Sequence, residues 1–351
     1  MTVIDAPCAV MDRLPGGFLD CPANRLSEIL PGPTLFDLPG RDPHPLFVST
    51  LLHGNEYSGL EAMQVVLRHH AARGLNRSLL LYIGNVRAAA ANVRTLPAER
   101  DYNRVWPGTL YPDDPQAATA RWVYDFAAAR GLFASIDIHN NTGFNPHYAC
   151  VRRLEPNFIA LAQLFSRTVV HFQRPVGTQA AAFANLCPAI TVECGKAGAG
   201  SATEHAIELV EAALSITQLP EHAPSAHDVD LLRTFAIVKP PAGSTFSFDG
   251  SPADFMFRSD IDRLNFSELS PEATFGVARA GMKLDILPGD GDHPPPEDCF
   301  AYDGGEIRLT CPAIPAMLTV DPRAVEQDCL CYLMHRIGMD GAPLQAASPS
   351  P

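Results

Sequence analysis

The sequence lacks a surplus of basic side chains. Its 351 residues include 26 Lys and Arg against 39 Asp and Glu, which gives a formal net charge of −13 at pH 7. Nucleic-acid binding depends on clustered basic side chains that displace counterions from phosphates. Nucleic acid is therefore not an expected partner, although a few arginines in one pocket can still bind a small anion.

Long apolar runs and paired cysteine motifs are also missing. No stretch approaches the roughly 20 apolar residues that cross a membrane. The N-terminal segment MTVIDAPCAVMDRLPGG has no basic flank followed by an apolar core, so it does not resemble a secretory signal. Nine cysteines occur without a CxxC pair, which argues against a thiolate zinc site. We expect a cytoplasmic protein with reduced thiols and no membrane partner.

Apolar runs alternate with helical patterns between residues 45 and 219. The run PLFVSTLLHG is followed by a segment in which Leu60, Met63, Val66 and Leu67 recur at helical spacing, and similar pairs of segments follow. Alternation of strands and helices predicts an α/β sheet covered by helices on both faces. Functional side chains are then expected where strands end in loops.

Helical periodicity largely ends near residue 220. Short apolar runs separated by Gly, Pro and Asp follow, and they indicate a β-rich fold. A chain of this length suggests two domains, at roughly 100 to 200 residues each. The predicted organisation is an irregular lead-in or edge element at 1–44, an α/β domain at 45–219, a small β-rich domain at 220–340 and a loose tail at 341–351.

Side chains that bind metal ions stand at two of the predicted strand ends. His53 and Glu56 are three positions apart in LLHGNEYSG, so both can face one ion. HxxE alone occurs often by chance, but His139 ends a second apolar strand in SIDIHNNTGF. Two His and one Glu leave a fourth zinc position open for water, as in catalytic sites. The sequence therefore predicts one catalytic zinc ion per chain.

Two further acids have a functional and a structural interpretation. Asp137 precedes His139 by two positions on the same strand face, so it can accept the other ring N–H of this histidine. Its alternative role is that of an acid in the loop at the strand end. Glu193 ends the apolar strand of AITVECGKAG, a buried position that suits a general base. Its alternative role is to cap the next turn or to pair with Lys196.

The segment at 84–106 is rich in arginine. Arginine donates forked hydrogen bonds to carboxylates and stabilises the oxyanion formed when water attacks an amide. The alternative is a solvated loop with ion pairs to Glu99 and Asp101, which explains Arg100 better than a site role does. The segment contains four arginines: Arg87, Arg94, Arg100 and Arg104.

Five short motifs follow one another in the chain: HGNE, GNxRA, DYNRVW, DIHNNT and VECG. In this order they resemble the succinylglutamate desuccinylase/aspartoacylase branch of the M14 zinc carboxypeptidases, over about residues 45–215. The resemblance implies a mixed central sheet of the zinc carboxypeptidase type, with helices on both faces, and a smaller C-terminal β-rich domain.

The resemblance also implies roles for individual residues. The implied zinc ligands are His53, Glu56 and His139. Glu193 would activate the zinc-bound water and then protonate the leaving amine, and Arg94 would polarise the scissile carbonyl. Asn103 and Arg104 match the pair that holds the substrate carboxylate.

The sequence departs from the family pattern at one position. The family's aspartoacylases have a further carboxylate-binding arginine about ten residues before the catalytic glutamate, where this chain has Phe183. A second acidic group on the substrate is therefore not indicated. Tyr302 and Tyr332 are the candidates for a tyrosine that contacts substrate, and both also suit structural roles.

The expected function is hydrolysis of the amide bond in a small N-acyl amino acid or a related carboxylate-bearing compound. One alternative is a zinc carboxypeptidase that acts on short peptides. Another is a non-catalytic metal-binding or ligand-binding protein on a hydrolase scaffold. A homo-oligomer is compatible with the sequence.

Overall fold

The chain folds into two compact units. The structure, a computed structural model, describes residues 7–225, 227–290 and 299–344. The first unit comprises Met1–Asn140, His147–Val169 and Pro175–Val229, and the second comprises Asn141–Pro146, Val170–Arg174 and Asp230–Pro351. The domain boundaries predicted from the sequence stay a prediction. Residues 345–351, which make up most of the predicted tail, lie outside the described residues.

The described elements up to residue 229 alternate between strands and helices. In chain order they are β1 (Ala9–Met11), β2 (Thr34–Leu38), β3 (Gly40–Thr50), α1 (Ser58–His70), β4 (Leu75–Ile83), α2 (Val86–Ala91), α3 (Pro115–Ala128), β5 (Ala134–Asn141), β6 (Tyr148–Val151), α4 (Pro156–Gln163), β7 (Thr168–His171), α5 (Gln179–Phe183), β8 (Ala189–Lys196) and α6 (Gly200–Ser215).

These strands form a mixed sheet in the order β1-β2-β4-β3-β5-β8-β6-β7. β3 lies between β4 and β5 and is parallel to both. β2 is antiparallel to β4, and β6 is antiparallel to β8. The predicted α/β fold with a mixed central sheet is confirmed. The sheet brings the ends of β3, β5 and β8, which follow one another in its order, to the candidate site.

Burial follows the predicted pattern in the strand and helix that lead to the site. Leu46, Phe47 and Val48 of β3 are fully buried. On α1, Leu60 and Met63 belong to the apolar stripe, which is buried as the helical spacing predicts. Burial of this stripe fixes the position of α1, which begins two residues after the HGNE turn.

The structure differs from the sequence prediction in the lead-in and in two short helices. Thr34, Leu35 and Phe36 of β2 are fully buried, and β2 pairs with β4 along its whole length. The prolines and glycines around them mark turns between strands and not an absence of strands. α2 and α5 have six and five residues, too few to show a helical period.

The elements after residue 229 are mainly strands. They are β9 (Asp230–Lys239), β10 (Phe246–Ser247), β11 (Phe255–Phe257), β12 (Thr274–Ala278), β13 (Asp285–Pro288), β14 (Phe300–Asp303), β15 (Glu306–Leu309), β16 (Ile314–Ala316), α7 (Pro322–Gln327) and β17 (Cys331–Arg336). β9 pairs with β13 and β17, and a separate five-stranded sheet has the order β10-β11-β12-β15-β14. The predicted β-rich C-terminal part is confirmed. Across the described parts of the chain, no helix is both long enough and apolar enough to span a membrane.

Candidate metal centre

The turn between β3 and α1 carries the first two candidate ligands. Leu51, directly after β3, has a φ of 54°, a left-handed conformation that costs a non-glycine residue about 1–3 kcal/mol. Gly54 lies against α2, where an added Cβ would be 2.2 Å from the carbonyl carbon of Ala88. Its N–H donates to the carbonyl of Arg94 at 3.1 Å. The backbone of the turn is therefore held close to α2, and this close approach is possible because residue 54 has no Cβ.

His53, Glu56 and His139 meet at one buried point. The Nδ1 atom of His53 lies 2.8 Å from Oε1 of Glu56, and Nδ1 of His139 lies 2.7 Å from Oε2 of the same carboxylate. The two Nδ1 atoms are 3.2 Å apart, and the exposure of the three residues is 3%, 7% and 3%. Three atoms with lone pairs thus face one another, as they would around a shared cation.

Each of the two imidazoles is held from behind by a carboxylate. Nε2 of His53 lies 2.9 Å from Oδ1 of Asp101, and Nε2 of His139 lies 2.8 Å from Oδ2 of Asp137. A carboxylate accepts an Nε2–H, and this tautomer leaves the lone pair on the inward Nδ1. The donor set, two imidazole nitrogens and one carboxylate with supporting carboxylates behind, fits zinc.

The charges around Glu56 keep its carboxylate ionised. Burial alone would raise the pKa of Glu56, but the charges of His53 and His139 outweigh it and hold this pKa well below its ordinary value. Burial would lower the pKa of His139, but the charges of Asp137 and Glu56 raise it well above the usual value for histidine. The carboxylates thus attract positive charge at the two imidazoles, and a cation bound by the three ligands would take the place of the ring protons.

Arg94 lies beside the cluster between two carboxylates. Its Nη1 is 3.3 Å from Oε1 of Glu56, and its Nη2 is 3.0 Å from Oδ2 of Asp101. Burial would raise the pKa of Asp101, but the charges of His53 and Arg94 hold it well below its ordinary value. The guanidinium is thereby fixed next to a candidate metal ligand.

Arg100 does not have the ion pairs expected for it. Its Nε lies 3.4 Å from Oδ2 of Asp114, and its guanidinium stacks on Tyr111. The expectation of a pair with Asp101 is wrong, because the carboxylate of Asp101 points inward to His53. Arg87 is exposed and lies 3.7 Å from a carboxylate oxygen of Glu99.

Asn103 and Arg104 have different surroundings. Nδ2 of Asn103 lies 3.2 Å from Oδ2 of Asp137 and 3.0 Å from Nε2 of His139, and its Oδ1 accepts the N–H of Gln179 at 2.8 Å. Arg104 is partly exposed, and its Nη1 donates to the carbonyl of Asn103 at 2.9 Å. The amide of Asn103 therefore lies directly beside His139 and Asp137, and its predicted role in binding the substrate carboxylate stays a prediction.

Glu193 lies on β8, the neighbour of β5 in the sheet. Two residues later, the carbonyl of Gly195 accepts Nδ2–H of Asn140 at 2.9 Å, next to His139. Burial raises the pKa of the Cys194 thiol, and the charges of Glu193 and Glu56 raise it further. Glu56 therefore acts on the residue that follows Glu193, so the end of β8 that carries Glu193 lies near the cluster.

Asn140 is a residue that the sequence analysis missed. Its backbone N–H donates to Oε2 of Glu56 at 3.1 Å, and its Oδ1 accepts the N–H of Ser58 at 3.2 Å. Its Nδ2 donates to Oγ of Ser58 at 3.1 Å and to the carbonyl of Gly195 at 2.9 Å. Asn140 thus joins the ends of β5 and β8 to the start of α1. The polar pair that follows His139 in DIHNNT was the available signal.

The side chain of Phe183 is part of the hydrophobic core. The ring is fully buried, 4.3 Å from the ring centroid of Phe47 and 5.6 Å from that of Trp106. This position therefore presents an aromatic ring to the interior. Tyr302, one of the two tyrosine candidates, uses its hydroxyl to accept the N–H of Leu284 at 2.8 Å.

Comparisons with known proteins agree with the fold. The model of the succinylglutamate desuccinylase/aspartoacylase catalytic domain matches residues 44–217. The chain is similar to the succinylglutamate desuccinylase from Chromobacterium violaceum, with a TM-score of 0.52 and 22% identity over 72% of this chain and 87% of that one. No curated protein matches the chain in sequence.

Two further solved structures have the same fold. A succinylglutamate desuccinylase/aspartoacylase from Rhodobacter sphaeroides gives a TM-score of 0.56 at 14% identity, over 87% of this chain and 89% of that one. Murine aminoacylase 3 gives a TM-score of 0.53 at 14% identity, over 85% and 97%.

Proposed function

Because the chain belongs to the succinylglutamate desuccinylase/aspartoacylase family, we propose that it is a zinc-dependent hydrolase of the amide bond in small N-acyl amino acids or related carboxylate-bearing compounds. One observation carries the proposal: the two Nδ1 atoms of His53 and His139 converge on the carboxylate of Glu56. The names of similar structures, desuccinylase and aminoacylase, support acyl removal as the reaction.

The proposed reaction assigns a separate task to each residue. His53, Glu56 and His139 would hold the zinc ion, which supplies Lewis acidity toward the scissile carbonyl and the attacking water. Glu193 accepts a proton from the water as its oxygen bonds to the carbonyl carbon. It then gives this proton to the leaving nitrogen as the C–N bond breaks, so a carboxylic acid and an amine are released.

Arginines stabilise the charges of the substrate in this proposal. Arg94 donates to the oxyanion that develops on the carbonyl oxygen, and its ion pairs with Glu56 and Asp101 support this role because they hold the guanidinium in one place. Arg104, which is partly exposed, binds the carboxylate of the substrate. Asn103, the neighbour of Arg104 in the chain, shares this task in the proposal.

Glu193→Gln tests the proposal directly. The variant keeps the size of the side chain and removes the base, so we expect zinc content to stay at about one ion per chain while kcat falls about 10²- to 10⁴-fold. Zinc is measured by mass spectrometry of the metal, and hydrolysis by release of the free amine. Unchanged hydrolysis at full zinc content would remove Glu193 from its role.

The alternatives give different results in the same assay. A carboxypeptidase would use Arg104 to bind the terminal carboxylate of a peptide, so dipeptides would be cleaved more efficiently than N-acyl amino acids. A non-catalytic binding protein would bind zinc and release no amine from either group of compounds. A cytoplasmic location and a homo-oligomeric state stay predictions.

A further inference from the structure

We propose that Cys299 and Cys311 form a reversible redox site, in which a hydroperoxide oxidises Cys311 and Cys299 then closes a disulfide bond with it. Both residues belong to the second compact unit, and both are thiols in the structure. The site is separate from the proposed hydrolase function and does not depend on the metal.

Strand pairing brings the two cysteines together. β14 and β15 are antiparallel neighbours in which Phe300 lies opposite Leu309. One position further, the N–H of Thr310 donates to the carbonyl of Cys299 at 3.0 Å, so the two segments are still paired there. Cys311 follows directly, and its thiol shares a hydrogen bond with the thiol of Cys299. A bond between the two sulfur atoms therefore requires only a local approach of the two side chains.

The two thiols differ in their access to solvent. Cys299 is fully buried among the apolar side chains of the second unit, which include Phe300 and Leu309. Cys311 is partly exposed in the bend that follows β15. An oxidant that arrives from solvent therefore meets the sulfur of Cys311 first. Redox-active cysteine pairs commonly combine an accessible reactive thiol with a neighbouring thiol that attacks its oxidised form.

The contact between the thiols also makes Cys311 the more reactive of the two. The hydrogen bond from Cys299 lowers the pKa of Cys311 to about 7, against the opposite effect of burial. About half of Cys311 is then thiolate at neutral pH, and the thiolate is the form that attacks an oxidant. Burial raises the pKa of Cys187 instead, so this thiol serves as an unreactive reference within the same chain.

The first step of the proposed oxidation takes place at Cys311. Its thiolate attacks one oxygen of hydrogen peroxide, an S–O bond forms and the O–O bond breaks. The sulfur loses two electrons to the peroxide and becomes a sulfenic acid. The hydroxide that leaves takes up the proton that Cys311 lost on ionisation, which gives the first water molecule.

The second step joins the two cysteines. The sulfur of Cys299 attacks the sulfur of the sulfenic acid, so the S–S bond forms as the S–O bond breaks. The departing hydroxide takes the proton of the Cys299 thiol and leaves as water. Two thiols and one peroxide thus give one disulfide and two water molecules.

Closure of the disulfide protects Cys311 from irreversible oxidation. A sulfenic acid that is left alone reacts with more peroxide to a sulfinic acid, which thiol reductants do not reverse. A disulfide returns to two thiols by exchange with a reducing thiol. The bond would join the start of β14, the last strand in the order of the five-stranded sheet, to the bend after β15.

Peroxide treatment of the full chain tests the site. The protein is exposed to hydrogen peroxide at about pH 7, alkylated, and mapped by peptide mass spectrometry without reductant. We expect one disulfide, between the peptides of Cys299 and Cys311, and its loss after dithiothreitol, while Cys187 stays a thiol. No disulfide, or one that links Cys311 to a different cysteine, would overturn the proposal.

Cys299→Ser is the matched variant. Its hydroxyl can still donate a hydrogen bond to the sulfur of Cys311, but it cannot form a disulfide. We expect Cys311 to reach the sulfenic acid at close to the wild-type rate, as trapped with dimedone, and to reach the sulfinic acid at least about tenfold faster than in the wild-type protein. Equal rates of sulfinic acid formation in the two proteins would contradict the role of Cys299.

Cys311→Ser keeps the test valid if Cys299→Ser fails to fold, because Cys311 is only partly buried. Circular dichroism reports folding of both variants. Without the exposed thiol, we expect Cys299 to stay a thiol under the same peroxide treatment. Oxidation of Cys299 at the wild-type rate in this variant would contradict the proposed order of the two steps.

Discussion

Nε2 of His53 lies 2.9 Å from Oδ1 of Asp101, although 48 positions separate the two residues. The pair repeats the relationship between His139 and Asp137, where the distance is 2.8 Å. Both candidate imidazole ligands therefore have a carboxylate behind them, and Asp101 is as much a part of the centre as Asp137.

Asp101→Asn should weaken zinc binding. The amide keeps an oxygen for His53 but loses the charge that favours a cation, and it loses the ion pair with Arg94. We expect the zinc Kd to rise about 10- to 100-fold. Arg100→Gln is the control, because Arg100 pairs with Asp114 at the surface. Equal zinc affinities in both variants would contradict the support role of Asp101.

Gly54→Ala should destabilise the protein and disturb the HGNE turn. The added Cβ would lie 2.2 Å from the carbonyl carbon of Ala88 and 2.2 Å from the backbone nitrogen of Ala89, and the backbone of α2 cannot move aside as a flexible side chain would. We expect a loss of about 1–3 kcal/mol in the free energy of unfolding, measured with urea. Gly16→Ala is the control, since nothing lies within 4 Å of its added Cβ. A stable Gly54→Ala variant with normal zinc binding would show that the turn can adopt another backbone conformation.

Asn140→Leu should loosen the junction between the strand ends and α1. The change has a similar volume but removes the side-chain bonds to Ser58 and Gly195, which leaves buried polar groups without partners. The expected loss is about 2–4 kcal/mol of unfolding free energy. Asn76→Leu, at an exposed position, should change it by less than about 0.5 kcal/mol. Equal effects would remove Asn140 from the junction.

Cys311 should react with alkylating agents at neutral pH. A hydrogen bond with Cys299 lowers its pKa to about 7, against the opposite effect of burial. Below this pH the thiol is protonated and slow, and above it the reactive thiolate predominates. The rate of reaction with iodoacetamide, followed by peptide mass spectrometry, should therefore reach half of its maximum near pH 7. Burial raises the pKa of Cys187, so this thiol should stay unmodified throughout.

Cys299→Ala separates the hydrogen bond from other causes. Without its partner the Cys311 thiol should have a higher pKa, and the pH profile of alkylation should move toward the ordinary thiol value of about 8.5. A profile that is the same in both proteins would contradict the role of Cys299.

The candidate ligands could be predicted because their signals are local. His53 and Glu56 share one turn, and Asp137 and His139 are two positions apart on one strand, so periodicity alone gives their common direction. The segments of His53 and His139 each follow a strand, and the ends of neighbouring parallel strands meet at one edge of a sheet. The structure shows β3 and β5 as such neighbours.

Other features depend on contacts between distant segments. The amide of Asn103 is oriented by the backbone of Gln179, 76 positions later, and no local pattern encodes this bond. Asp101 lies among charged residues in the sequence, a pattern that is typical of a solvated loop. Its contact with His53 depends on the fold. β2 escaped prediction because its burial comes from pairing with β4, which the turn residues around it obscure.

The most direct test of the central claim is the metal dependence of amine release from an N-acyl amino acid. Protein stripped of metal by a chelator is titrated with zinc, and the initial rate is recorded at each step. We predict negligible hydrolysis without metal and a linear rise that reaches its plateau at one zinc per chain. Hydrolysis that is equally fast in the stripped protein, or absent at every zinc concentration across a panel of N-acyl amino acids, would contradict the account.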